Sequence, residues 1–191
     1  MTLLALLLSL GTLSGLATAH PQTVLDPDDS DGVLDIVGAR LGHETYTITE
    51  THGTTPDRHP TKVRLKLITY ETWPDSVISS DSGSYVRFDI NMDRDADVER
   101  CVIITYEPEE GEFTALAAKF CRDDGVVMHV RTFDGRPKRP DEHSIKVSLA
   151  KRFVAPGPDS VSWRAVTVQA DCMNGPAPAC YDETQWKRHR F

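Results

Sequence analysis

Short segments in which apolar and polar residues alternate recur along most of this chain. In the clearest segment, 63–67, three aliphatic residues alternate with Arg64 and Lys66, and the same period of two returns at 85–91 and 144–149. This period predicts strands with one buried and one solvated face. No segment shows a helical stripe, and turns rich in Gly, Pro, Asn and Asp separate the segments. The pattern predicts an all-β fold, an antiparallel, jelly-roll-like β-sandwich of about nine strands.

The first nineteen residues form a segment of a different kind. A short apolar core at 3–8 precedes Ala17-Thr18-Ala19, the small-x-small pattern after which signal peptidase cuts. We therefore expect a signal peptide at 1–19, a mature chain that begins at His20, and secretion of that chain. No later stretch approaches the roughly 20 apolar residues that a membrane-spanning helix needs, so we expect no membrane span.

The mature chain has the length and charge of a single acidic domain. Removal of nineteen residues from 191 leaves 172, enough for one sizeable core. We assign 20–170 to the β-sandwich domain and 171–191 to a cysteine-containing C-terminal tail. The 21 basic residues face 29 acidic ones, a net charge of −8. This balance argues against nucleic acid as a partner, because phosphate binding requires clustered Lys and Arg.

The four cysteines of an exported chain indicate two disulfides, although four cysteines allow three pairings. The sequence favours one of them. Cys101 and Cys121 flank a predicted hairpin whose turn contains Pro108-Glu109-Glu110-Gly111, which would bring the two sulfurs opposite each other. Cys172 and Cys180 then pair across a short loop.

The most acidic stretch of the chain lies before the first predicted strand. Five carboxylates fall within ten residues, and the sequence turns apolar after them. Carboxylates this close repel one another unless they stay hydrated or share a hard cation such as Ca²⁺, which takes about six to eight oxygen ligands. The alternative is that these residues only break regular structure and keep the protein soluble. The predicted ligands of a structural calcium are Asp26, Asp28, Asp29, Asp31 and Asp35.

A second acidic turn follows the strand predicted at 85–91. Asp93 and Asp95 lie in this turn, and Asp89 precedes them in the strand. Neither acidic turn is an EF-hand, because Gly and Glu do not fall at the positions that such a loop requires. If the sandwich brings the two turns together at one end, they would share one ion. Asp89, Asp93 and Asp95 are therefore further predicted calcium ligands.

An amino-terminal histidine suggests a different metal. The terminal amine and the imidazole of His20 can bind copper together if a second histidine approaches them, which would suit a copper-dependent polysaccharide oxidase. The alternative is that the cleavage site leaves a histidine there by chance. The candidate partners are His43, His52, His59, His129 and His143.

Sequence motifs for hydrolytic catalysis are missing. The chain has no Gly-x-Ser-x-Gly elbow and no His-Glu-x-x-His. Trp73 and Tyr85 are the predicted ligand-binding residues, because aromatic rings lined up on a concave face would stack on sugar rings. Burial of both would exclude this role.

The stretch from Asp26-Pro27-Asp28-Asp29 to Gly32-Val33-Leu34-Asp35-Ile36 resembles the opening of a group of secreted, largely actinobacterial β-sandwich domains. The strand that ends at Asp89 and the Asp93-x-Asp95 run look like that group's second strand and turn. These domains are similar in outline to DOMON-type and family nine carbohydrate-binding modules. The resemblance implies a non-catalytic jelly-roll-like domain with a calcium at its acidic end, held first by the acidic residues of the opening. The chain departs from the usual form in its Cys101 and Cys121 pair and in its long tail.

Together these features predict a secreted, non-catalytic binding domain that calcium stabilises. We expect its ligand to be a glycan or another extracellular surface. Two alternatives stay open. One is an extracellular structural or protein-interaction domain without a small ligand, and the other is a copper-dependent polysaccharide oxidase that uses His20.

Overall fold

Two antiparallel sheets of five and seven strands pack face to face and confirm the predicted β-sandwich. The computed structural model describes residues 21–30, 32–47, 58–93, 98–121, 127–132, 136–157, 159–170 and 180–191. It contains more than the nine or so strands predicted. Four of its strands are only four residues long, too short for their alternation to be read in the sequence.

The described strands are numbered in chain order. They are β1 (Gln22–Leu25), β2 (Ile36–Thr47), β3 (Arg58–Thr69), β4 (Tyr85–Asn91), β5 (Arg100–Glu107), β6 (Glu112–Cys121), β7 (Val127–Thr132), β8 (Lys138–Asp141), β9 (Ser144–Ala150), β10 (Ser160–Gln169), β11 (Cys180–Glu183) and β12 (Lys187–Arg190). Short 3₁₀ helices at Asp75–Ile78 and Ser80–Ser82 precede β4, and the helix α1 (Lys151–Val154) follows β9. Within the described residues, no helix has the length and apolar character needed to cross a membrane.

The five-stranded sheet has the order β1-β2-β3-β9-β8, with β3 at its centre. Leu65 of β3 lies opposite Leu41 of β2 on one side and Val147 of β9 on the other. All three side chains are buried, whereas the neighbouring Arg64 is exposed. The alternation read in the sequence thus corresponds to one face that contributes to the core and one face in solvent.

The seven-stranded sheet has the order β11-β10-β4-β5-β6-β7, and β12 also pairs with β10. The strands β11 and β12 lie along the same edge of β10: Tyr181 is opposite Val168, and Lys187 is opposite Trp163. Residues 180–191, which the sequence assigned to a tail, therefore extend the sandwich. His189 is buried in β12.

The hairpin of β5 and β6 confirms the predicted Cys101–Cys121 disulfide. Cys180 at the start of β11 is also disulfide-bonded. Cys172 lies outside the described residues, so its pairing with Cys180 stays a prediction.

The core lies between the sheets, and the acidic segment of the sequence lies beside it. Trp163 and Phe88 are among its largest fully buried side chains. The segment that joins β1 to β2 begins and ends in the five-stranded sheet, but between these strands it contacts the other sheet, where Thr167 Oγ1 of β10 donates a hydrogen bond to Leu34 O at 3.0 Å. Gly32 approaches the second sheet so closely that a Cβ there would lie 3.2 Å from Cys180 Cβ. These contacts bring the acidic segment next to β11.

Candidate metal centre

Hydrogen bonds to the backbone fix both ends of the acidic segment. The Asp26 N–H donates to Val37 O at 3.1 Å, and the Asp35 N–H closes a turn on Gly32 O at 3.0 Å. Tyr70, just after β3, connects the two ends, because its hydroxyl donates to Asp26 O at 2.9 Å and its N–H donates to Asp35 O at 3.0 Å. The carboxyl groups of Asp26 and Asp35 are therefore carried by an ordered scaffold.

Asp182 of β11 reaches this segment from the other sheet. Its Oδ2 accepts a hydrogen bond from the Ile36 N–H at 2.6 Å. One oxygen each of Asp26, Asp29 and Asp182 lie within 4.8 Å of one another. Asp28 and Asp35 also interact through their carboxyl groups, and Asp35 does so with Asp182 as well. We call these five residues, Asp26, Asp28, Asp29, Asp35 and Asp182, the acidic cluster.

The inner members of the acidic cluster are buried, and their pKa values are raised. Asp35 is 3% exposed, Asp182 6% and Asp26 9%. Burial and then the Asp28 and Asp182 carboxyls raise the pKa of Asp35 to about 7. Burial is also the main reason that the pKa of Asp182 rises to about 6, and it raises the pKa of Asp26. Without a cation, the folded protein favours protons on these groups.

Two oxygens of the acidic cluster are buried without a hydrogen-bond donor. Asp26 Oδ2 and Asp35 Oδ1 receive no hydrogen bond from any described residue. An unpartnered buried carboxylate oxygen is unfavourable, and such oxygens are rare in native proteins. The candidate metal ligands of the acidic cluster are all carboxylate oxygens, and they come from different parts of the chain. Oxygen ligands are those that a hard cation such as Ca²⁺ prefers.

The acidic cluster contains four of the five carboxylates predicted in the opening segment. Asp31 lies outside the described residues. The sequence analysis did not include Asp182, which lies 146 residues from its partner Ile36. The only feature of the sequence that could have pointed to Asp182 is its place between Tyr181 and Glu183, as the inward residue of a possible strand. Because β11 has only four residues, that inward position cannot be recognised from alternation.

The second acidic turn lies at the other end of β10. Asp93, which is exposed, follows the end of β4, where Asn91 is opposite Ser162. The acidic cluster lies instead near Thr167, at the opposite end of the strand. Asp93 interacts with Glu99, whose carboxylate accepts a hydrogen bond from the Met92 N–H at 2.7 Å. Asp95 lies outside the described residues.

Asp89 lies in an ion-pair network away from the acidic cluster. The Asp89 side chain is fully buried, with Oδ1 2.7 Å from Arg87 Nε and Oδ2 3.0 Å from Arg164 Nε. Arg164 also contacts Glu183 Oε2 at 2.5 Å. The Asp89 carboxylate thus has two guanidinium partners, which provide the positive charge that a metal would otherwise supply.

The structure places Trp73 in the loop after β3 and Tyr85 at the start of β4. Trp73 follows β3 and is 3% exposed; its Nε1–H donates to Thr69 Oγ1 at 3.1 Å. The guanidinium of Arg139 lies 4.0 Å from the centroid of its ring. Tyr85 begins β4 in the seven-stranded sheet and is half-buried. Because Trp73 is buried beneath Arg139, its ring is not exposed for stacking on a sugar.

An exposed aromatic surface lies instead on the outer side of β11. Tyr181 is 46% exposed and Trp186 is 42% exposed. The Tyr181 hydroxyl donates to Glu183 Oε2 at 2.5 Å, and the Arg164 guanidinium lies 4.9 Å from the Trp186 ring centroid. We call Tyr181, Trp186, Arg164 and Glu183 the aromatic patch. Because side chains alternate along a strand, this patch and Asp182 lie on opposite faces of β11.

Comparisons with family models, with curated proteins and with solved structures gave no match for this chain. The resemblance to DOMON-type and family nine carbohydrate-binding modules therefore stays a prediction.

Proposed function

We propose that this protein is a secreted, non-catalytic binding domain that Ca²⁺ stabilises at the acidic cluster and that binds a glycan at the aromatic patch. One observation carries the proposal: the acidic cluster buries carboxylate oxygens that lack hydrogen-bond donors, at Asp26 and Asp35. The predicted signal peptide and the Cys101–Cys121 disulfide support an oxidising, extracellular setting.

The ligand chemistry of the acidic cluster suits a hard cation, and Ca²⁺ is the one that we propose. Its candidate ligands are carboxylate oxygens, and Asp29 at the exposed side leaves room for water in the coordination sphere. The cluster contains no Cys or His, which softer metals prefer. A bound Ca²⁺ would replace the protons that the raised pKa values favour, and it would connect the two sheets through Asp26 and Asp182.

Calcium bound to the acidic cluster would also hold the aromatic patch in place. Asp182 is the inward residue of β11, and its neighbours Tyr181 and Glu183 point outward into the patch. A strand of four residues has few hydrogen bonds to hold it in place. An ion bound to Asp182 would thus fix the strand that carries two of the four patch residues.

The chemistry of the aromatic patch suits a glycan. An exposed indole and an exposed phenol offer flat apolar faces for the C–H groups of a sugar ring. The exposed Glu183 lies beside them, held by Arg164, and its carboxylate can accept hydrogen bonds from sugar hydroxyl groups. A few polar groups beside an aromatic surface are typical of small-ligand sites.

The glycan part of the proposal is tested by the retention of the mature protein on insoluble cellulose, chitin, xylan and mannan with millimolar Ca²⁺. We expect retention on at least one polysaccharide. Trp186→Ala should weaken that binding about tenfold, the effect of about 1.4 kcal/mol of lost stacking. Leu25→Ala is the matched control, because Leu25 is 75% exposed and apolar but lies on β1 outside the patch.

Two outcomes would contradict glycan binding at the patch. One is no retention on any polysaccharide, which would favour the protein-interaction alternative. The other is equal retention of wild type and Trp186→Ala. Removal of calcium with a chelator should weaken retention in the wild type, because the patch depends on β11.

A further inference from the structure

Basic residues of four strands line up on the outer face of the five-stranded sheet. Arg40 of β2 is opposite Lys66 of β3. Lys66 is in turn opposite Lys146 of β9, which is opposite Lys138 of β8. Residues directly opposite each other in neighbouring strands have their side chains on the same face of the sheet. We call Arg40, Lys66, Lys146 and Lys138 the basic row.

The basic row faces solvent. Arg40, Lys138 and Lys146 are exposed and Lys66 is half-buried, whereas the residues before and after Lys66 and Lys146 are buried in the core. Because the four basic residues come from four separate strands, neither composition nor local sequence reveals that they are neighbours. A chain with a net charge of −8 therefore carries a concentrated line of positive charge on one face.

The carboxylates around the basic row neutralise little of its charge. Lys66 Nζ lies 3.9 Å from Asp141 Oδ2, and the Asp141 side chain is 51% exposed. No carboxylate in the part of the chain that the structure describes forms an ion pair with the other three basic groups. Like charges directly opposite each other in a sheet are destabilising, and protein surfaces usually intersperse charges of both signs. An anionic partner would offset this repulsion.

We propose that the basic row binds a linear anionic polysaccharide, one that carries carboxylate or sulfate groups along its chain. Neighbouring strands lie about 4.8 Å apart, so the four basic residues span about 14 Å. The row runs directly across the strands and contributes one basic side chain from each of them. An extended polymer laid along the row can place an acidic group near each side chain, which is the charge complementarity that orients a partner on a surface.

Two other classes of anionic partner fit the basic row less well. The row contains no aromatic ring, on which grooves for single-stranded nucleic acid stack bases. Leu25 of β1 is exposed on the same face, opposite Gly38, but one aliphatic side chain adds little apolar area for insertion into a bilayer. The row lies on a different sheet from the aromatic patch, so this proposal does not rest on glycan binding there.

Titration of the mature protein with hyaluronate and with dextran sulfate at low ionic strength, and with dextran as the neutral counterpart, tests the basic row. We expect binding to at least one of the anionic polymers and none to dextran, and salt should weaken the binding because it screens exposed charges. Arg40→Glu should lower the affinity at least about tenfold. Arg190→Glu is the matched control, because it changes the charge equally at an exposed arginine of β12 in the other sheet. Trp186→Ala should leave this binding unchanged, so failure of glycan binding at the aromatic patch and failure of this proposal give different results.

A second variant separates loss of binding from loss of folding. Lys146→Glu places a carboxylate opposite both Lys66 and Lys138, so it replaces two repulsive cross-strand contacts with attractive ones. We expect its melting temperature to be no lower than that of wild type, while its affinity for the anionic polymer falls as in Arg40→Glu.

Several results would overturn the proposal. They are no binding of either anionic polymer, equal weakening in Arg190→Glu and Arg40→Glu, and wild-type affinity in a folded Lys146→Glu. Tighter binding to phosphatidylserine-containing vesicles or to DNA than to either anionic polysaccharide would also overturn it, in favour of a membrane or a nucleic acid as the partner.

Discussion

Replacement of Asp89 with alanine is expected to lower the free energy of unfolding by about 3–5 kcal/mol, the usual effect of removing one partner of a buried ion pair. Arg87 is 2% exposed and Arg164 is 9% exposed, and both approach the fully buried Asp89 carboxylate. In Asp89→Ala the two guanidinium groups keep their positive charges in the same place without the carboxylate between them. Their mutual repulsion adds to the loss of hydrogen bonding.

Urea unfolding in saturating Ca²⁺ measures this effect without a contribution from the acidic cluster. Asp81→Ala serves as the control, because Asp81 is an exposed acidic residue in the 3₁₀ helix Ser80–Ser82. The control should stay within about 0.5 kcal/mol of wild type, as surface substitutions usually do. A loss below about 1 kcal/mol in Asp89→Ala would show that the ion-pair network does not support the outer face of the seven-stranded sheet.

Saturating Ca²⁺ is expected to raise the melting temperature, and the rise should grow between about pH 5 and pH 7. An ion present at 100 times its Kd and bound only to the folded state adds about 2.7 kcal/mol. For a domain of this size that corresponds to about 5–10 °C. The pH dependence follows from the acidic cluster, where the folded-state pKa values of Asp35 and Asp182 are raised from 3.8 to about 7 and about 6.

The sign of this dependence follows from where the protons bind. Between about pH 4 and pH 7 the ion-free folded state retains protons that the unfolded state has released. The stabilisation that these bound protons give the folded state is therefore fully present below about pH 4, and it is lost as the pH rises toward 7. The proposed Ca²⁺ would bind the ionised carboxylates, so saturating Ca²⁺ should remove this loss, and the difference between the two conditions should be largest above pH 7.

Thermal unfolding at pH 5, 6, 7 and 8, with chelator and with Ca²⁺, checks this prediction. Other carboxyl groups titrate in the same range, so the quantity to compare is the difference between wild type and Asp35→Asn at each pH. Asp35→Asn should abolish most of the calcium response and flatten the pH dependence in chelator. An equal calcium response at pH 5 and pH 8, or an unchanged response in Asp35→Asn, would contradict the assignment.

The sequence predicted those parts of the fold that depend on local patterns. The alternation around Leu65 identified β3 because one face of this strand contacts the core and the other contacts water. The turn at 108–111 identified the hairpin that the disulfide between Cys101 and Cys121 links. The strands β11 and β12 were missed, since four residues carry too little periodicity. Their place in the sheet depends on pairing with β10, which is a non-local property.

The candidate site shows the same division between local and non-local information. Asp26 and Asp35 could be predicted because their charges are crowded within one short segment. Asp182 could not, because only the contact of that segment with the second sheet brings it near. Trp73 and Trp186 are the same residue type, yet one is buried under Arg139 and the other is exposed in the aromatic patch. Their environments depend on which strands surround them.

Alternation also failed to reveal the surroundings of Asp89. A period of two assigns Arg87 and Asp89 to the solvated face of β4, but both side chains are buried there. The two charges can be buried because they pair with each other and with Arg164 of the neighbouring strand. A pattern of polar residues does not distinguish a solvated face from a face with buried ion pairs.

Isothermal titration of Ca²⁺ into the chelator-treated mature protein, near pH 7.5, tests most directly whether the acidic cluster is a calcium site. We predict one Ca²⁺ per chain, loss of binding in Asp182→Asn, and unchanged binding in Asp93→Asn, which alters the acidic turn at the other end of β10. No binding by the wild-type protein, or undiminished binding by Asp182→Asn, would contradict the account.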